Sequence, residues 1–310
     1  MTCNILFAAK AERWTEYKSP LEIALANAGI PANLACNLPP ETVDYIVYAP
    51  NSPVQDFTPF TRLKAVLSLW AGVESIAPNP TLKVPLARMV DHGMTRGMVE
   101  WVAGHTLRHH LGMDAHIVNP DKLWQPKAPP LASDRKVALL GLGELGSECA
   151  KTLASLGFNL HGWSKSPKSI NGITCHHGLA GLKGALMGAH IVILLLPATS
   201  ATENILNAER LSLMAKGAFV INPGRGPLID DDALLHALDS QQIAHATLDV
   251  FRTEPVPADH PFWHHPQITI TPHIASETRA VTASQCIAEN VRRGQAGLPF
   301  LHLVDRAAGY

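Results

Sequence analysis

The chain has 310 residues, of which 46% are hydrophobic and 16% charged, with a formal net charge of −1. That is apolar material for about two domains with buried cores, too much for a disordered chain. The near-zero charge offers no electrostatic footprint for nucleic acid or an anionic membrane surface.

Five cysteines, Cys3, Cys36, Cys149, Cys175 and Cys286, form no CxxC pair. Neither a zinc ribbon nor a thioredoxin-type site is expected, and a reducing, cytoplasmic compartment fits. No run reaches the roughly 18 apolar residues of a membrane helix. The apolar run Ile5–Ala9 lacks a preceding basic segment and is followed at once by Lys10, Glu12 and Arg13. It reads as a first strand, Cys3–Ala9, and not as a signal peptide.

Next in the chain, Ser19-Pro20-Leu21-Glu22 has the form of a capping box with proline at the first helical position, and Gly29 closes that helix. Short apolar runs at Asp44–Tyr48, Ala65–Trp70 and Val84–Met89 predict buried strands. The pattern turns helical over Thr95–Leu111. A stretch with Pro120, Pro126, Pro129 and Pro130, spanning Asn119–Ser133, reads as a loop or strap. Strand–helix alternation then restarts. Strands are predicted at Lys136–Leu140, Asn159–Ser164, His190–Leu196, Ala218–Asn222, Ala244–Val250 and Ile268–Thr271. Helices are predicted over Gly143–Leu156, over Asp231–Leu238 with Asp230 at its cap, and over Ser276–Arg293. Such alternation argues for parallel sheets covered by helices. Two α/β domains follow: residues 1–97 rejoined by 276–310, and residues 98–275, with a ligand cleft expected between them.

The strand Val137–Leu140 runs into Gly141-Leu142-Gly143-Glu144-Leu145-Gly146, a GxGxxG turn before a helix. Glycines permit the tight turn, close approach of a pyrophosphate to the backbone and close helix–strand packing; the helix N-terminus offers free N–H groups to phosphate. The bland alternative is a glycine-rich turn with no ligand, but the strand before it and the helix after it favour a dinucleotide. NAD sites carry an acid about 20 positions on, for the ribose 2′-OH. Here that region reads Trp163-Ser164-Lys165-Ser166-Pro167-Lys168. Lys165 and Lys168 can pair a 2′-phosphate and Ser164 and Ser166 can donate to it, so NADP is expected over NAD.

Three polar features end predicted strands: Asn222-Pro223-Gly224-Arg225-Gly226, Asp249-Val250-Phe251-Arg252-Thr253-Glu254-Pro255, and Thr271-Pro272-His273-Ile274-Ala275-Ser276. Ligands of open α/β sheets bind outside the carboxyl ends of strands. These features join Leu69-Trp70-Ala71-Gly72-Val73-Glu74, the GxGxxG turn, Trp163-Ser164-Lys165 and the C-terminal Val304-Asp305-Arg306-Ala307-Ala308-Gly309-Tyr310. Over essentially its whole length the chain resembles the D-isomer-specific 2-hydroxyacid dehydrogenases, and most of all their glyoxylate/hydroxypyruvate reductase A branch.

The resemblance implies two Rossmann-like domains: a flavodoxin-like substrate domain and a doubly wound dinucleotide-binding domain. It implies NADPH-dependent reduction of small 2-keto acids, glyoxylate to glycolate and hydroxypyruvate to D-glycerate, by a homodimer. Residues 98–112 and the proline-rich strap are the expected dimer contacts. Arg225 would hold the substrate carboxylate and polarise the keto oxygen, a task suited to a planar, always-charged fork. His273 would be the general acid and Glu254 its partner, since a carboxylate favours the imidazolium beside it. The amides of Ala71, Gly72 and Val73 would cradle the carboxylate. Leu196, Pro197 and Thr199 would line the cofactor path, with Pro223, Gly224, Asp249, Ala275 and Ser276 near its nicotinamide end. Each of Arg225, Glu254 and His273 alone could be structural; their family order argues for a joint role.

Trp70 adjoins the cradle where smaller residues are common. It either narrows the pocket toward two- and three-carbon substrates or packs inward. Trp263 either reaches a pocket or anchors its loop. The histidine pairs 109/110, 176/177 and 264/265 do not predict a metal site, because adjacent residues rarely face one ion. Another 2-keto acid, or a non-catalytic NADP sensor on the same fold, are the alternative readings.

Overall fold

The computed structural model describes residues 2–124, 126–307 and 309. Gln125 of the proline-rich stretch, and Ala308 and Tyr310 of the C-terminal motif, lie outside the described residues. The chain forms two compact units, one made of residues up to Met94 with Glu277 onward, the other Thr95–Ser276.

The first unit contains β1 (Cys3–Ala8), α1 (Ala11–Asn27), β2 (Ala32–Ala35), β3 (Tyr45–Tyr48), β4 (Ala65–Ser68) and β5 (Leu86–Ala87). All strands are parallel, in the order β2-β1-β3-β4-β5. This is the flavodoxin-like order. β3 and β4 are buried at every position, as a parallel sheet covered on both faces requires.

The unit boundary falls within α2 (His92–Leu111). The second unit continues with α3 (Asp114–Ile117), β6 (Lys136–Leu140), α4 (Glu144–Ser155), β7 (Asn159–Ser164), β8 (Thr174–His177), α5 (Gly178–Leu186), β9 (Ile191–Leu194), α6 (Ala208–Ser212), β10 (Ala218–Asn222), α7 (Asp231–Asp239), β11 (Ile243–Leu248) and β12 (Ile268–Ile270). Its sheet is parallel in the order β12-β11-β10-β9-β6-β7-β8. Counted from β6, that is a doubly wound sheet with a seventh strand. Alternate residues feed two cores, Ala138, Leu140, Val192 and Leu194 on one face and Val137, Leu139, Ile191 and Ile193 on the other. The period of two follows from strand geometry. α8 (Ala280–Gln295) belongs to the first unit and packs on α1. Among the described residues no helix is long and apolar enough to cross a membrane.

Several elements depart from the expected pattern. α1 starts at Ala11, so the Ser19–Glu22 box lies inside the helix and Pro20 in its interior. The buried face explains this: Tyr17, Leu21, Ala24 and Leu25 form one helical stripe that runs past the proline. Packing of that stripe outweighs the one backbone bond Pro20 cannot donate. β2 and β8 carry no apolar run; each is an edge strand of its sheet and only partly buried. α8 starts at Ala280, four residues later than its sequence pattern suggests, because 273–276 are engaged in a turn described below.

Candidate functional site

The strand order of the second unit reverses between β6 and β9, the place where such sheets bind ligands. β6 ends at Leu140 and the chain turns at Gly141, φ +113°, whose N–H donates to the Trp163 carbonyl at 2.8 Å. A Cβ on Gly141 would stand 2.3 Å from the Leu195 carbonyl oxygen, and one on Gly146 would stand 1.8 Å from that of Gly141. Both positions are closed to any side chain by backbone. Gly143 differs: a Cβ there would meet nothing within 4 Å, although Gly143 caps α4 with no side-chain bond. With no side-chain cap and no protein atom beside the Cβ position of Gly143, the start of α4 leaves room for an anion, a cradle that fits a pyrophosphate. Leu145 is half-buried against the core below.

Trp163 is buried in the core, and its indole N–H donates to the Gly178 carbonyl at 2.8 Å. It shapes the turn from behind. The Ser164 hydroxyl is buried and donates to the Ser166 carbonyl at 2.7 Å. In this conformation its proton closes the turn and is not offered to a phosphate. Lys165, Ser166 and Lys168 are exposed on the outside of that turn.

At the end of β9, Leu196, Pro197 and Thr199 are half-buried. Their loop is tied by Thr202, whose hydroxyl donates to the Pro197 carbonyl at 2.7 Å and accepts from the Thr199 amide at 2.9 Å. After β10, Asn222 is fully buried; its amide donates to the Arg225 carbonyl at 2.9 Å and its oxygen accepts from the Gly224 amide at 3.1 Å. Pro223 is buried beside them. A Cβ on Gly224 would lie 2.7 Å from the Leu194 carbonyl oxygen, which accounts for glycine before Arg225. The Arg225 guanidinium is partly buried and donates to the Gly224 carbonyl at 2.7 Å.

Asp249, at the end of β11, is completely buried. One of its oxygens accepts from the Thr271 hydroxyl at 2.6 Å and the Ile274 amide at 2.9 Å, the other from the Ala275 amide at 2.9 Å. Its own carbonyl accepts from the His273 amide at 2.9 Å. These bonds hold His273 at φ +55°, a left-handed conformation uncommon for a residue with a Cβ. They also occupy residues 273–275, which explains the late start of α8. Ser276 follows at the edge of this turn.

The held imidazole meets Glu254. Its Nδ1 lies 2.7 Å from Glu254 Oε2, while Oε1 accepts the Phe251 amide at 2.9 Å. A carboxylate only accepts, so Nδ1 carries the proton and Nε2 is the nitrogen available for exchange. The His273 side chain is 52% exposed, open enough to reach a solute. Arg225, Glu254 and His273 thus stand on three turns at the carboxyl ends of neighbouring strands. An acid–base imidazole, its carboxylate partner and a guanidinium are a set for proton transfer to a bound anion.

In the first unit, residues 70–73 follow β4. The Trp70 amide donates to Ser68 Oγ at 3.0 Å, and the Thr278 hydroxyl donates to the Leu69 carbonyl at 2.8 Å. Val73 is buried, while Ala71 and Gly72 are half-exposed. Among the described residues, the amides of Ala71, Gly72 and Val73 donate to no protein acceptor. Trp70 is 42% exposed, so it does not pack inward as core. Trp263 is also about half-exposed, its indole N–H donating to the Pro257 carbonyl at 3.0 Å; Phe262 is the buried anchor.

Asn222 and Thr271 hold the site together, yet their sequence signal is slight. An Asn ahead of a Pro-Gly turn is a recognisable turn former, whereas Thr271 has no local signature. The histidines at 109 and 110 are core residues: His109 is buried, with Nε2 2.9 Å from Thr247 Oγ1 and its ring stacked on Phe219.

Sheet order and glycine turn define a dinucleotide-binding α/β protein. Residues 104–275 match the family model described as D-isomer specific 2-hydroxyacid dehydrogenase, NAD binding domain. The glyoxylate/hydroxypyruvate reductase A of Serratia proteamaculans is 40% identical, with 80% of this chain and 82% of the relative covered. That of Yersinia enterocolitica is 38% identical over 87% and 88%. A D-isomer specific 2-hydroxyacid dehydrogenase from Xanthobacter autotrophicus, in complex with NADPH and MES, matches with a TM-score of 0.93 at 37% identity, both chains covered completely. An NADPH-dependent glyoxylate/hydroxypyruvate reductase from Sinorhizobium meliloti, with NADP and sulfate, matches at 0.85 and 31%, again over both whole chains. The chain belongs to the D-isomer-specific 2-hydroxyacid dehydrogenase family.

Proposed function

We propose that this protein reduces small 2-keto acids, glyoxylate and hydroxypyruvate first among them, using NADPH. The observation that carries the reading is the 2.7 Å His273–Glu254 pair on a turn clamped by buried Asp249. It leaves Nε2 as an acid that can give its proton to a keto oxygen. Arg225 binds the carboxylate and polarises the carbonyl, and the free amides of Ala71–Val73 also suit a carboxylate. NADPH supplies the hydride when bound. Its pyrophosphate suits the open α4 terminus at Gly143, and its 2′-phosphate suits Lys165, Ser166 and Lys168. Leu196, Pro197, Thr199, Pro223, Gly224, Ala275 and Ser276 complete the proposed cofactor site, with the buried Asp249 acting from behind it by holding residues 273–275. The exposed Trp70 is assigned to limiting substrate size.

We assign residues 1–97 with 276–310 to substrate binding and 98–275 to the dinucleotide. A homodimer is part of the reading. Ile117, Val118, Trp124 and Leu131 form an exposed apolar series along the α3 and proline-rich segment, with Trp124 94% exposed, a surface suited to a second copy. A cytoplasmic setting suits a protein with free cysteines.

The test follows NADPH and NADH oxidation with glyoxylate and hydroxypyruvate offered separately. Rapid loss of NADPH and slow loss of NADH supports the reading. Turnover only with longer keto acids reassigns the substrate. Tight NADPH binding with no turnover of any keto acid overturns the enzyme and favours a sensor.

A further inference from the structure

Arg252 sits inside the turn that presents Glu254, between the two ends of its internal hydrogen bond. Phe251 donates its amide to Glu254 Oε1 at 2.9 Å, and Arg252 is the next residue. Its side chain leaves the turn and reaches two other segments. The guanidinium donates to the Ile229 carbonyl at 2.6 Å and to the Asn204 side-chain oxygen. It also lies 3.6 Å from carboxylate oxygens of Glu203 and of Asp231. Asp231 opens α7, and burial holds its carboxyl above the usual range, opposed by the charge of Arg252. Asn204 is itself at φ +49° and donates its amide to the Pro227 carbonyl at 2.9 Å. Leu206 and Ile229 form a β-bridge beside it.

One planar cation therefore joins the turn after β11, the loop after β9 and the segment entering α7. Two of these segments carry proposed site residues: Glu254 on the first, and Leu196, Pro197 and Thr199 on the second. The turn has few other supports. Phe251 is partly buried against the core, while residues 252–255 are exposed. A single exposed ion pair contributes little. A guanidinium that donates to two acceptors on different segments, Ile229 and Asn204, with the Glu203 and Asp231 carboxylates close by, is different, because its fork geometry fixes orientation as well as distance. Lysine could keep the charge but not all the directions.

We propose that Arg252 is a positioning residue for proton donation: it fixes the Phe251–Glu254 turn, and through Glu254 the orientation of His273 Nδ1, relative to the loop after β9. The inference rests on His273 being the general acid. In the proton step, the Nε2–H bond of imidazolium breaks and an O–H bond forms on the keto oxygen as hydride from NADPH reaches the carbon. Arg252 takes no part in bond making. Loosening its turn should slow proton donation while cofactor binding and folding persist.

The test compares Arg252→Gln, Arg252→Lys and His273→Gln in the full-length protein. It measures kcat and KM for glyoxylate, NADPH affinity by fluorescence, thermal stability, and the solvent deuterium isotope effect on kcat. Arg252→Gln should lower kcat roughly tenfold, leave NADPH affinity within about twofold, and raise the solvent isotope effect. Arg252→Lys should recover part of kcat. A merely structural role would lower stability and active fraction without changing the isotope effect, which would overturn the proposal, as would full activity in Arg252→Gln. If His273→Gln retains activity, the acid assignment itself fails. If His273→Gln is inactive and Arg252→Gln is normal, only the positioning role fails.

Discussion

Replacing Gly143 and Gly146 separately by alanine distinguishes a cofactor cradle from a packing constraint within one turn. Gly146→Ala would put a methyl group 1.8 Å from the Gly141 carbonyl oxygen. Backbone cannot yield there without moving β6 against α4, so a loss of about 3 kcal/mol is expected, at the upper end for overpacking. For a unit of this size that is a fall in Tm of roughly 6–12 °C. Gly143→Ala meets no protein atom within 4 Å, and its φ of −78° and ψ of −165° are open to alanine. Its only folded-state cost is the poorer cap, about 0.5–1 kcal/mol. The added methyl would nonetheless occupy the space proposed for pyrophosphate. A tenfold or greater rise in NADPH Kd is expected, about 1.4 kcal/mol, with Tm lowered by only about 1–4 °C. Thermal unfolding and NADPH fluorescence titration on each variant measure both quantities. Wild-type NADPH affinity in Gly143→Ala would refute the placement of the pyrophosphate at this helix terminus.

Two other outcomes follow from charge and burial. Lys165→Ala and Lys168→Ala should each weaken NADPH binding by about 1 kcal/mol, roughly fivefold, as expected for exposed cations on a phosphate; NADH binding should not move. Equal losses for both cofactors in titration would place the 2′-phosphate elsewhere. Stability should fall on the acid side of neutrality. Burial, aided by the nearby His245 and Arg108 charges, pushes His109 down to about 3 from its ordinary 6.5. Between those values the unfolded chain binds the proton and the folded chain does not. The stabilisation is therefore complete above about pH 6.5 and is lost as pH falls toward 3. His109 alone accounts for about 2 kcal/mol by pH 5, and His245, pushed down to about 4 chiefly by burial, acts in the same direction. Denaturant midpoints that stay flat from pH 7.5 to pH 5 would contradict this.

Local signals were sufficient where the chemistry is local. A strand that ends in GxGxxG and enters a helix is encoded within about 20 residues, and β6, its turn and α4 form there. Asp230 is legible as a cap because a side-chain oxygen before a helix can reach only the next free amides; it accepts that of Ala233 at 3.0 Å. Short continuous apolar runs likewise disclosed the central strands, whose burial on both faces demands them. The family order of Arg225, Glu254 and His273 marked three polar turns that the fold places at the carboxyl ends of neighbouring strands.

Tertiary structure decided whatever depends on distant partners. Edge strands β2 and β8 exist because a neighbouring strand completes their bonds, a fact absent from their own composition. α1 runs through Pro20 because the stripe of Tyr17, Leu21 and Leu25 finds a core to cover. Asp249 becomes a clamp only when residues 271–275 come within 3 Å, and Arg252 becomes a cross-link only when Asn204, Ile229 and Asp231 converge on it. Sequence thus determined which residue types could perform the chemistry and the short turns that carry them. The folded sheet determined their directions, because hydrogen-bond geometry between segments tens of residues apart is a property of packing and not of any local pattern.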